Sequence, residues 1–128
     1  MRFYDVAIAS LAIDAPPKWT DNLLSQHDVP GVGPARRGVA RRIPRPTLLL
    51  LALTRELHMT FGIGVRDALQ LAARLLADDA GHEWHAGAIR LVLDRAALER
   101  ALDDRLRIAL ESAPAPRRGR PRNRAIEK

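Results

Sequence analysis

DAPPKWTDNLLSQHDVPGVGPARRGVARRI, residues 14–43, is the stretch from which the rest of the chain can be ordered. Pro16 and Pro17 stand near its start. Proline suits a first helical turn, where its missing N–H leaves no bond unmade. The pattern predicts a helix from residue 16 to about 27. At about 100° per residue, Trp19, Thr20, Leu23, Leu24 and His27 share one side, and Lys18, Asp21, Asn22 and Ser25 the other. The first set suits a core. The second is a compact polar row with the donors and acceptors that read base edges. Two β-like pieces follow, residues 28–32 and 38–43, around the turn material Gly33, Pro34 and Ala35. Arg36, Arg37, Arg41, Arg42 and Arg45 lie in or beside this hairpin, with no acid between the first and the last. A polar helix face enters a groove, and an arginine hairpin beside it holds phosphates or reaches the minor groove.

The charge of the whole chain agrees. Of a net charge of +6, residues 114–128 supply most, with five Arg and Lys128 against Glu127. Residues 1–45 hold seven bases against four acids, and residues 46–113 eight against ten. Positive charge thus sits at the hairpin and the tail, which suggests a polyanion touched at two places. The plainer alternative is a solvated surface in a chain that uses 19 Arg and 2 Lys. A length of 128 residues suits one domain with an appendage, and 47% apolar residues suffice for a core. Aromatics are only 4%, so aliphatic side chains must fill it. Cysteine is absent, which excludes disulfides, thiolate zinc sites and cysteine nucleophiles. Met1–Ser10 carries Arg2 and Asp5 and no long apolar run, so no signal peptide is expected. Arg55 and Glu56 stop the apolar run at residues 48–53 short of a membrane span. A soluble cytoplasmic, nucleoid-associated protein is expected.

Upstream of the stretch, Asp5 can cap a short helix over residues 6–11, with Val6, Ala9 and Ile13 inward. Two short helices joined this closely fit a helix-turn-helix. Downstream, prolines at 44 and 46 lead into a third helix, about residues 47–61. Leu48, Leu49, Leu50, Leu51 and Leu53 cover nearly its whole circumference, which marks a central helix or one that also faces a partner. Gly62 reads as its C-terminal cap and Ile63 as the apolar contact after it. A fourth helix spans residues 65–77, with Ala68, Leu69, Ala72, Leu75 and Leu76 inward.

In this order of parts, residues 4–77 resemble the DNA-binding domain of the MerR-like winged-helix superfamily. The resemblance rests on the short helix, the turn, the Pro-led helix, the hairpin closing on Arg41-Arg42-Ile43, the Pro-bounded helix, Phe61-Gly62-Ile63 and the last helix. Ile43 stands where the family often has an aromatic residue. Asp21 and Asn22 stand where its recognition helix usually carries Arg and Tyr, so the family's target sequence does not carry over. The resemblance implies a mainly α fold, a winged helix-turn-helix with a small β-hairpin wing. It also implies a bacterial DNA-binding transcription regulator that is not an enzyme and needs no cofactor. Lys18, Asp21, Asn22 and Ser25 would face the major groove, and Arg36, Arg37, Arg41, Arg42 and Arg45 the backbone.

Beyond residue 78 the reading is of a strand–helix extension, residues 79–113, after a winged-helix unit of residues 1–78. Residues 78–87 read as a polar connector. Residues 88–93 read as a strand with Ile89, Leu91 and Leu93 on one face. Asp94 can cap a fifth helix, residues 95–112, with Leu98, Ala101, Leu102, Leu106, Ala109 and Leu110 as its apolar stripe. A lone strand needs an edge, either the wing sheet or its mate in a second protomer. A homodimer built from this strand and helix, and simple packing on the chain's own core, both remain open. Residues 114–128 read as a disordered basic tail. Within it Arg118, Gly119, Arg120, Pro121 and Arg122 resemble an AT-hook core. Glycine lets the backbone lie on the minor-groove floor while the arginines reach along it. The alternative is a tail that only adds non-specific affinity.

Catalytic and ligand motifs are weak. His82, Glu83 and His85 lack the helical spacing of a zinc site and read as a polar loop, so no metal is expected. Gly31-Val32-Gly33 and Gly62-Ile63-Gly64 lack the further spacing of a dinucleotide loop. Ser10 and Ser25 show no triad arrangement. The expected partner is double-stranded DNA, with no membrane and no evident small-molecule effector. The alternatives are an architectural nucleoid protein with little sequence preference, and an antitoxin- or adaptor-like interaction module.

Overall fold

In a computed structural model, residues 2–33, 38–77 and 81–112 are described. Arg36 and Arg37, and the tail residues Arg118, Gly119, Arg120, Pro121 and Arg122, lie outside them. The order of elements is β1 (Phe3–Tyr4), α1 (Val6–Ala12), α2 (Pro17–Gln26), β2 (Ile43–Pro44), α3 (Arg45–Phe61), α4 (Val65–Leu76), β3 (Glu83–Ala86), β4 (Ile89–Val92) and α5 (Arg95–Ser112). Among the described residues the fold is mainly helical, with two small antiparallel two-stranded sheets. Among the described residues no helix is long and apolar enough to cross a membrane.

Helix α3 is the centre, as its unbroken leucines require. Leu48, Leu49, Leu50, Leu51, Leu53 and Leu57 are all buried, each worth about 1.5–3 kcal/mol of apolar burial. Thr54 is buried too, its hydroxyl donating to the Leu50 carbonyl at 2.7 Å. Gly62 ends the helix at φ 71°, and its N–H donates to the His58 carbonyl. A left-handed cap of this kind favours glycine. The chain then turns back into α4, which buries Ala68, Leu69, Ala72 and Leu75. Helix α5 lies against α1 and α3. Leu98, Leu102 and Leu106 join the same core as the α3 leucines. Ala101 and Leu110, expected on its inner stripe, are exposed instead.

Two β expectations are corrected. Residues 28–32 are not a strand. Pro30 has no N–H to give a ladder, and Gly31 sits at φ 86°. The segment is a turn, closed by Val32 N–H on the Val29 carbonyl and by Thr47 Oγ1 donating to the Pro30 carbonyl at 2.7 Å. A Cβ on Gly31 would meet Thr47 Oγ1 at 2.5 Å, so this close approach needs glycine. Within residues 38–43 only Ile43 belongs to a strand, apart from a single bridge residue at Val39. That strand, β2, pairs with β1 at the amino terminus, Phe3 opposite Pro44 and Tyr4 opposite Ile43.

The second correction concerns the extension. Residues 83–86, expected in a connector, form β3, which pairs with β4 from Glu83↔Val92 to Ala86↔Ile89. One edge of β4 is therefore taken by its own neighbour β3. The two-residue turn places Gly87 at φ 60°, as tight hairpins favour. Trp84, Leu91 and Leu93 pack on the core, whereas Ile89 and Val92 are exposed.

Candidate nucleic-acid interface

The candidate surface begins at the joint of α1 and α2. Asp5 caps α1, accepting from the Ile8 N–H at 2.8 Å. The chain reverses through Asp14 at φ 57°, and the Ala15 N–H donates to the Ser10 carbonyl. Asp tolerates this left-handed turn better than most non-glycine residues. The Ser10 hydroxyl then donates to the Thr20 hydroxyl at 2.8 Å, with both residues buried. This bond and the packing of Leu23 and Leu24 fix how α2 is presented.

Helix α2 is turned as its sequence predicts. Thr20, Leu23 and Leu24 are buried, Trp19 and His27 are half-buried, and Lys18, Asp21, Asn22 and Ser25 are all exposed. The polar row is therefore brought together on one face of a helix of 10 residues, about 15 Å long.

Arg41 crosses to that row. One of its terminal N–H groups donates to Asp21 Oδ1 and the other to Ser25 Oγ, the latter at 3.0 Å. Its side chain is only 12% exposed against 58% for Asp21, and its Nε is buried with no hydrogen-bond partner among the described residues. The chain leading into β2 is thus tied along α2, with the Asp21 charge already matched. Arg42 points elsewhere, its guanidinium 4.5 Å from the centroid of the Phe3 ring.

Arg45 belongs to a helix. It opens α3, and its Nε and Nη2 donate to Asp103 Oδ1 at 3.1 and 2.8 Å, with Glu99 at 3.6 Å. The Asp103 hydrogen bond, helped by the charges of Asp103 and Glu99, raises its pKa further above the ordinary arginine value despite partial burial. It fastens α3 to α5.

Arg55 was missed by sequence reading. From α3 its Nε donates to the Asp14 carbonyl at 3.2 Å, and its guanidinium lies 4.9 Å from the centroid of the Trp19 ring. It therefore braces both the turn and the inner side of α2. His58, one turn on, has its ring 6.1 Å from that of Trp19. No periodicity announces a bond from a helix to a backbone carbonyl far away in sequence.

The His82–His85 segment has local work instead of a ligand role. His82 Nδ1 bonds the Leu75 carbonyl at 3.0 Å. Arg90 donates twice to the Glu83 carboxylate, both at 3.0 Å, and His85 reaches it at 3.1 Å. The Arg90 hydrogen bonds first, then that of His85, hold the Glu83 carboxyl down at about 2.

The chain matches no protein-family model, no curated protein and no solved structure.

Proposed function

We propose that this chain is a DNA-binding transcription regulator of bacterial, MerR-like winged-helix type. The observation that carries the reading is the exposed row Lys18, Asp21, Asn22 and Ser25 on α2, with Arg41 tied into it and Arg42 alongside in sequence. In the major groove Asn22 can pair with adenine and Lys18 with guanine. Asp21 keeps an acceptor for a cytosine amino group while Arg41 offsets its repulsion of phosphates. Arg42, with Arg36 and Arg37 before it in sequence, would take phosphates, and the arginines of the tail a neighbouring minor groove.

The test is a fluorescence-anisotropy salt titration of the full chain on A·T-rich and G·C-rich duplexes, followed by selection from a random duplex pool. Binding that weakens steeply with salt and enriches one motif is the expected result. The Lys18→Ala/Asn22→Ala variant should keep much of the salt-dependent affinity and lose the enrichment. Equal affinity for all duplexes points to an architectural protein, and no binding at low salt overturns the reading.

A further inference from the structure

Where the end of α1, the middle of α3 and the start of α5 meet, a cleft of about 280 Å³ opens to solvent. Its floor is apolar and made of small or fully packed groups, Ala12, Ala52 and Leu102 among them. Its rim carries four charges of both signs, Arg55, Arg105, Asp14 and Glu56. Arg105 and Glu56 make no ion pair, and the terminal nitrogens of Arg55 no hydrogen bond, among the described residues. Ligand pockets start at about 300 Å³, so the cleft is of a size for a small metabolite. An apolar floor under a rim of balanced charge matches a zwitterion with an apolar body. A simple anion would face two acids there, and a simple cation two guanidiniums.

We propose that this cleft binds a free amino acid with an apolar side chain. The carboxylate sits on Arg55 and Arg105, the ammonium on Glu56 and Asp14, and the side chain on the alanine floor. Arg55 also stacks on Trp19, so the occupied site reports itself through that indole. The same guanidinium holds the turn before α2, which makes the cleft a place where a metabolite acts on the presentation of that helix.

The experiment follows Trp19 emission in a Trp84→Phe variant of the full chain, whose only remaining tryptophan is Trp19. L-Leucine, L-methionine and L-phenylalanine are titrated in turn. A saturable change is expected with at least one. 4-Methylpentanoate and isopentylamine, which each lack one charge of leucine, should bind more weakly than leucine. Arg105→Gln removes charged hydrogen bonds and should weaken binding about tenfold or more. Ala101→Phe, an exposed α5 position lining the cleft, should block it sterically with the helical circular-dichroism signal intact. No saturable change with any of the three overturns the proposal. So does parent-like affinity in both variants, or a response to 4-methylpentanoate without one to leucine. The readout contains no DNA, so its failure and failure of the duplex titration are separate results.

Discussion

The hydroxyls of Ser10 and Thr20 meet at 2.8 Å inside the joint of α1 and α2, each at most 1% exposed. Neither reaches water, so each depends on the other. Thr20→Val leaves the Ser10 hydroxyl without that partner and should cost about 1–3 kcal/mol. Removing both hydroxyls in Ser10→Ala/Thr20→Val should cost less than the two single changes added together. Urea unfolding of the four proteins measures the coupling. Additive losses would mean that the bond contributes nothing to the joint.

Asp21 holds Arg41 along α2. Asp21→Ala should release that guanidinium and remove a carboxylate from the proposed DNA face. Affinity for duplexes should rise, and the log–log salt slope should steepen by about one phosphate contact. Anisotropy titration between low and moderate salt reads both quantities. Weaker binding by the variant would show that Asp21 contributes more by reading or positioning than it costs by repulsion.

Arg45 lies on α5 carboxylates at a half-open surface, its side chain 36% exposed and that of Asp103 58%. Pairs of this kind contribute about 0–1 kcal/mol. Arg45→Ala should therefore lower stability by no more than about 1 kcal/mol and leave the DNA salt slope unchanged. A slope reduced as much as by Arg42→Ala would place Arg45 on the backbone after all.

The β3–β4 hairpin carries a pH dependence with a definite sign. The folded Glu83 carboxyl titrates at about 2 against an ordinary 4.5. A depressed carboxylate stabilises the fold above its unfolded pKa, and that contribution fades as pH falls from 4.5 towards 2. Glu83→Gln should remove this component, so the difference between parent and variant should shrink through that window. Emission of Trp84 in a Trp19→Phe background follows the hairpin, because Trp84 faces Leu91 across it. A difference independent of pH would contradict the ion-pair account.

Much of the helical frame is legible in the amino-acid sequence. Helix α5 runs over the 95–112 span that its leucine spacing marks out, and its Asp94 cap bonds the Ala97 N–H at 3.0 Å. Asp5, Gly62 and the outward set of α2 also stand where the pattern puts them. The β elements were less legible. Pro30 and Gly31 looked like part of a hairpin because Val29 and Val32 flank them. Glu83-Trp84-His85-Ala86 looked like a loop because its polar groups hide the pairing with residues 89–92.

The chain order alone thus determined the helices, the caps Asp5, Gly62 and Asp94, and most of the side each helix turns inward. Those choices depend on hydrogen bonds and contacts three or four residues apart, which any stretch of sequence carries within itself. Tertiary structure alone decided that residue 41 lies on residue 21, residue 45 on residue 103 and residue 55 on residue 14. Each closes a loop of 20 to 58 residues. An arginine can reach many acceptors at that range, and only packing of α3 against α1, α2 and α5 selects one. The polar row of α2 was therefore readable from the helix that bears it. Which arginine reaches that row and which are committed elsewhere was decided only by the fold.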